Sequence, residues 1–198
     1  HVFKGILEAD SLLNAIGRHI IDEDIDFVFM GTQGASGMKE VFLGSNTVRL
    51  ILNIENFPVM VVPEQFEIVT YSEILFETDF KHHFKKIELQ PLLDIAEITG
   101  AGIVVTHIAM EETLDQEQKQ LRKLLDGLLK GVDLRYEDIA YYPNVASRIQ
   151  EWSRDAHMGM IAMINSRHGF FSTLVREPVV KRIAFHTEVP FLVLPEIL

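Results

Sequence analysis

The stretch DFVFMGTQGASGMKEVFLGSNTVRL, residues Asp26 to Leu50, is where the chain is most informative about itself. Asp26 to Met30 is a short apolar run that stops at Gly31, the pattern of a buried strand entering a tight turn. In the turn GTQGASG, Gly31, Gly34 and Gly37 recur at every third residue. Glycine tolerates positive φ and lets a ligand come close to the backbone. Gly44, Ser45 and Asn46 then precede an amphipathic run from Thr47 to Ile54. Small polar residues in that place are N-cap signals, so a helix is expected to start near Ser45. The unpaired N–H groups and positive dipole end of such a helix attract anions. A glycine turn after a strand, with a capped helix start close behind, can hold a phosphate chain from two sides.

The spacing narrows this further. Gly31-x2-Gly34-x9-Gly44-Ser45 is not a Walker P-loop, because no Gly-Lys-Ser/Thr occurs in the chain, and it is not the dinucleotide pattern G-x-G-x-x-G. It resembles the nucleotide-binding signature of the universal stress protein family, G-x2-G-x9-G-S/T. The surroundings agree: an apolar strand ending in MGT, the turn, LGS before a helix, then PVMVVP from Pro58 to Pro63 as a last strand. The resemblance implies that Gly31, Gly34, Gly44 and Ser45, with Thr32 and Asn46 beside them, hold the phosphates and ribose of ATP or AMP, with or without Mg2+. The plainer alternative is a glycine turn that only lets strand and helix pack, as in members of the family that bind nothing.

Composition sets the outer limits. The length of 198 residues suits one large or two small domains, and a hydrophobic content of 47% is ample for a core. Eighteen basic against 29 acidic residues leave a net charge of −11, which argues against a nucleic-acid or anionic-membrane partner. The longest apolar runs are too short to cross a bilayer. The chain has no cysteine, so disulfides and thiol chemistry are excluded. A cytoplasmic location is the default expectation.

Along the chain, strands and helices are expected to alternate. HVFKGILE, His1 to Glu8, alternates loosely and reads as a strand. Asp10 and Ser11 offer caps for a helix over Leu12 to Ile21. After Pro63 a short connector leads to ILFETDF from Ile74, a strand ending in acidic residues. A helix over Ile87 to Ile98, closed by Thr99-Gly100, and a strand over Ala101 to Ala109 follow. A helix over Asp115 to Leu129, with Leu121, Leu124, Leu125 and Leu128 on one face, is stopped by Gly131. A strand (Val132 to Ile139), a helix (Asn144 to Ala156), a strand (Met158 to Ile164), a helix (Leu174 to Phe185) and a strand (Phe191 to Leu194) complete the pattern. Such alternation implies an α/β fold, an open parallel sheet of Rossmann-like kind with helices on both faces.

The chain also repeats itself. Phe27 to Met30 falls on Met160 to Met163 at an offset of 133 (27 to 160), and Gly37, Ile51, Pro58 and Pro63 fall on Gly169, Ile183, Pro190 and Pro195 at 132 (37 to 169). Repetition at domain length marks a tandem protein. Residues 73–198 are expected to form a complete second domain, and residues 1–63 only the C-terminal part of a first one. An equal first copy would begin about sixty residues before His1 (73 − 133 = −60). By resemblance the sheet order of one copy is 3-2-1-4-5. The absent piece would then supply the two strands between His1–Glu8 and Phe27–Met30, and the first sheet would be discontinuous. The two last strands, short and apolar, are expected to pair with an edge, within the chain as a pseudo-dimer or across a dimer.

The second copy of the turn is degenerate. Its stretch Ile164 to Gly169 keeps one glycine, and Arg176-Glu177 stands where the first copy has Gly44-Ser45. A carboxylate there faces the place of a phosphate, so this copy is expected to be empty of nucleotide. By resemblance Asp79 matches an aspartate at the adenine-ribose end of the ligand, and a solvated strand-end carboxylate is the equal alternative. Adjacent His82 and His83 lack the spacing of a metal site. His168 has no nucleophile with a positioned partner. Trp152 reads as packing, and Lys39 as either a phosphate contact or a solvated lysine. The functional expectation is an adenine-nucleotide-binding regulator with no turnover or slow hydrolysis. Against it stand an interaction scaffold that binds no nucleotide and, more remotely, an enzyme of the adenine-nucleotide α-hydrolase-like group.

Overall fold

The computed structural model describes residues 2–31, 45–53, 56–64, 66, 72–109, 113–140, 145–166 and 188–197. In chain order the elements are α1 (Leu12–Asp22), β1 (Val28–Gly31), α2 (Ser45–Leu52), β2 (Val59–Val62), β3 (Glu73–Glu77), α3 (Lys86–Thr99), β4 (Gly102–Ala109), α4 (Gln116–Leu128), β5 (Leu134–Ala140), α5 (Val145–Asp155), β6 (Met160–Asn165) and β7 (Phe191–Pro195). Among the described residues, the strands form one seven-stranded sheet in the order β1-β2-β7-β6-β3-β4-β5. All neighbours are parallel except β2 and β7, which meet antiparallel.

The inner strands β2, β3, β4, β6 and β7 read as largely apolar runs because both of their faces are covered. The edge strand β5, LRYEDIA, is polar and, Ile139 apart, half-buried or exposed. Ile74, Phe76, Ile103, Val105, Met160 and Ala162 join one buried cluster with Leu89 and Leu92 of α3 and Leu121 and Leu125 of α4. Leu75, Val104, Ile161, Met163, Val59 and Val61 join the other, with Leu50 and Ile51 of α2 and Ile149 of α5. The period of two along each strand sends alternate residues to opposite faces. Trp152 packs, partly buried, against the second cluster.

Local sequence accounts for the helix limits. Ser11 caps α1 by accepting from the Asn14 amide at 3.3 Å. Asp115 and Gln118 form a reciprocal capping box at the start of α4. Gly100, at φ 70°, closes α3 in the left-handed region that favours glycine. The helix expected near Ser45 begins at Ser45. The helix expected over Leu174 to Phe185 lies outside the described residues.

Residues 73–195 fill the order β5-β4-β3-β6-β7, which is 3-2-1-4-5 in their own sequence. β1 and β2 lie in the same layer, not in a separate, discontinuous sheet: β2 joins β7 with Val59, Met60 and Val61 opposite Val193, Leu192 and Phe191. Val59, Val61, Phe191 and Val193 are all buried there, and the pairing is within the chain. The expected strand at His1–Glu8 is not formed. Residues 2–8 are irregular and exposed, and among the described residues no strand pairs with them. Alternation is a local signal, whereas a strand exists only through a partner's hydrogen bonds.

Candidate functional site

A threonine inside the helix joins the described residues on either side of the glycine turn. Thr47 is buried, and its hydroxyl donates to the Gly31 carbonyl at 3.0 Å. That bond holds the first turn of α2 against the carboxyl end of β1. It brings together Gly31, at the end of the strand, and the helix-opening residues Ser45 and Asn46, of which Asn46 is exposed. Thr32, Gly34 and Gly44 lie outside the described residues, as does Lys39. The first turn of α2 carries no acidic side chain to compensate the positive end of its dipole. At the other end of α2, Asn53 Nδ2 donates to the Arg49 carbonyl at 2.7 Å and Asn165 Nδ2 to the Ile51 carbonyl at 2.9 Å. Both satisfy carbonyls that a helix leaves open in its last turn.

Open α/β sheets take ligands outside the carboxyl ends of their strands, where strand order reverses. In the five-stranded part this point lies between β3 and β6, where Glu77, Thr78 and Asp79 face the level of Asn165 and Ser166. Glu77 is 5% exposed and shares its face of the sheet with Thr106, its register partner on β4. The Thr106 hydroxyl is buried without a hydrogen-bond partner among the described residues. Burial, and then the nearby Asp79 carboxylate, push the Glu77 carboxyl up to about 8. Asp79 Oδ1 accepts from the Lys81 amide at 2.9 Å, and its carbonyl accepts from Gln118 Nε2 at 3.0 Å. Its carboxylate thus shapes the turn that follows β3. Arg176, Glu177 and His168 lie outside the described residues.

The two histidines separate. His83 is exposed, whereas His82 Nε2 lies 2.9 Å from Glu88 Oε2 and Nδ1 lies 3.7 Å from Glu196 Oε1. Glu88 is fully buried and also accepts from the amides of Lys85 at 2.8 Å and Ile197 at 2.9 Å. Burial works against its ionisation, but hydrogen bonds from His82 and these amides outweigh it and hold its carboxyl below the usual range. The cluster fastens the segment after β7 to the start of α3. Sequence reasoning missed Thr47, Glu77 and Glu88. The signal for Glu88 was readable, because it stands three residues after Lys85, where a capping-box acid belongs.

No protein-family profile and no curated protein sequence matches the chain. Solved structures do. A universal stress protein from Archaeoglobus fulgidus DSM 4304 matches 91% of this chain at 18% identity with a TM-score of 0.59, and the chain spans 64% of that protein. The cytoplasmic domain of a prokaryotic cation chloride cotransporter matches 93% of the chain at 8% identity with a TM-score of 0.56, and the chain spans 69% of it. A universal stress protein in complex with cAMP matches 64% of the chain and 98% of its own length, at 10% identity and a TM-score of 0.47, too distant to bear on a ligand here. The fold is that of universal stress proteins, an open, mostly parallel α/β sheet. At these identities the matches speak for the fold alone, and one fold carries many functions. Among the described residues, no helix is long and apolar enough to cross a membrane.

Proposed function

We propose that the chain is a tandem universal-stress-like regulator that binds ATP or AMP, with or without Mg2+, through its first half, with little or no turnover. The nucleotide is held by Gly31, Thr32, Gly34, Gly44, Ser45 and Asn46. The observation that carries this reading is the Thr47–Gly31 bond, 3.0 Å, which joins the strand end and helix start that the motif separates by thirteen positions (31 to 44). A phosphate set there meets amides of the α2 start and, through glycine, an unshielded backbone. A cytoplasmic location accords with this role.

The tandem form is supported by registers that match at the offsets of the sequence repeat. Val28↔Val59 becomes Ile161↔Phe191, and Met30↔Val61 becomes Met163↔Val193. The bond from the Val28 amide to the Pro58 carbonyl, 3.1 Å, recurs from Ile161 to Pro190 at 3.0 Å. Helix α1, Leu12–Asp22, shifted by 133 gives the limits of α5, Val145–Asp155.

Calorimetry with ATP and AMP on the wild-type chain and on Gly44→Glu tests the site. Binding lost in the variant is expected. Equal affinity in both sinks the assignment, and no binding by the wild type favours the scaffold reading.

A further inference from the structure

The antiparallel junction of β2 and β7 reverses strand direction within one sheet, so the carboxyl ends of β1 and β6 open at opposite rims. Helix α2 leaves the end of β1 and returns to the start of β2, which pairs parallel to β1, so it must cross from one rim to the other. Eight residues of helix span about 12 Å. The helix is pinned at both ends by side-chain bonds of different origin. Thr47 ties its first turn to Gly31 of β1, and Asn165, the last residue of β6, ties its last turn through the Ile51 carbonyl, 114 positions away in sequence.

We propose that Asn165, a residue of the second half, is a positioning residue for the nucleotide site of the first half, acting through α2. The inference rests on the reading of that site as nucleotide-binding. A helix start binds an anion only while its N–H groups are held where the anion sits, because preorganised donors cost nothing to align on binding. Thr47 fixes the first turn of α2, and buried Leu50 and Ile51 pack its flank against the sheet. Asn165 adds a directional hold at the far end through its amide nitrogen, since Ile51 offers a carbonyl acceptor. By linkage, a ligand that tightens α2 also strengthens the Asn165–Ile51 bond, so Asn165 at the end of β6 senses occupancy of the first half.

The test uses the full chain as wild type, Asn165→Ala, Asn165→Asp and, as a control that loses an unrelated side-chain bond, Tyr136→Phe. ATP affinity is read by calorimetry and the exchange of the Arg49 and Leu50 amides, which lie beyond the unpaired first turn of α2, by deuterium labelling without ligand. Loss of one hydrogen bond is expected to weaken ATP binding about threefold to tenfold in both Asn165 variants and to speed exchange of those amides, with Tyr136→Phe unchanged. The aspartate is isosteric and keeps the test open if alanine fails to fold. Wild-type affinity and exchange in the aspartate variant would overturn the proposal. If wild-type protein binds no ATP, the site reading fails, and the exchange result still decides whether Asn165 holds the start of α2.

Discussion

Met60 sits directly opposite Leu192 at the centre of the antiparallel seam, flanked by Val59↔Val193 and Val61↔Phe191. The two residues stand 132 apart (60 to 192), the offset at which Pro58 and Pro63 fall on Pro190 and Pro195 in the sequence. Both are buried, so the seam is an interior part of the core.

We predict that backbone amides on both sides of this seam exchange at the rate of global unfolding. Hydrogen exchange of Met60 and Leu192 as fast as that of residues 2–8 would contradict an internal seam. Val59→Asp should unfold the chain outright, since an unpaired charge would enter a fully buried position at a cost of several kcal/mol.

Thr47→Val removes one hydroxyl and keeps the shape of the side chain. The predicted cost is about 1 kcal/mol of stability, together with weaker ATP binding. Thr47→Ser should restore both. Denaturant melts and calorimetry measure the two effects, and a serine variant as impaired as the valine would show that the bond to Gly31 is not the cause.

Glu77 sets a pH dependence. Unfolded, its carboxyl titrates near the ordinary 4.5; folded, it titrates at about 8 because of burial and then Asp79. Between those values the folded state holds the extra proton. Its contribution to stability is therefore complete below 4.5 and is lost as pH rises through about 8. Glu77→Gln should flatten this slope, matching wild type near pH 5 and exceeding it near pH 8, in urea melts at about those two values. A variant no more stable than wild type at the higher pH would refute the assignment.

Glu88 works in the opposite sense, because its carboxyl is held below the usual 4.5 and its contribution disappears on acidification. Glu88→Ala would leave His82 and the amides of Lys85 and Ile197 without their acceptor. The expected loss is about 3 kcal/mol near pH 7, shrinking toward pH 3. A loss of the same size at both values would place the effect in packing instead of charge.

What the sequence made legible is what local rules govern. Ser11, Asp115 and Gly100 mark helix limits because caps act within one turn. The inner strands such as β2, β6 and β7 announced themselves because burial on both faces leaves few polar residues to blur the run. His1–Glu8 misled for the complementary reason: its alternation is local, while a strand is a property of two segments. The candidate site was legible as a spacing, from Gly31 to Ser45, but its closure by Thr47 was not, since a threonine in a helix is ordinary until its neighbour is known. Asn165 and Glu77 were hidden likewise. Their roles depend on Ile51 and Thr106, which reach them only through the fold.

The seam also orders events in time. β2 is complete at Val62, but its partner begins only at Phe191, 129 residues later (62 to 191). At about 5–20 residues per second of synthesis, the edge waits roughly 6–26 s. Throughout that interval the nascent chain carries a wholly apolar strand, paired to β1 on one side and with its other edge open, of the kind that recruits foreign strands. The closing step for this edge is therefore the arrival of β7. A ribosome stalled before Phe191 would hold a chain predicted to be a chaperone client, and synthesis through Pro195 would end that dependence.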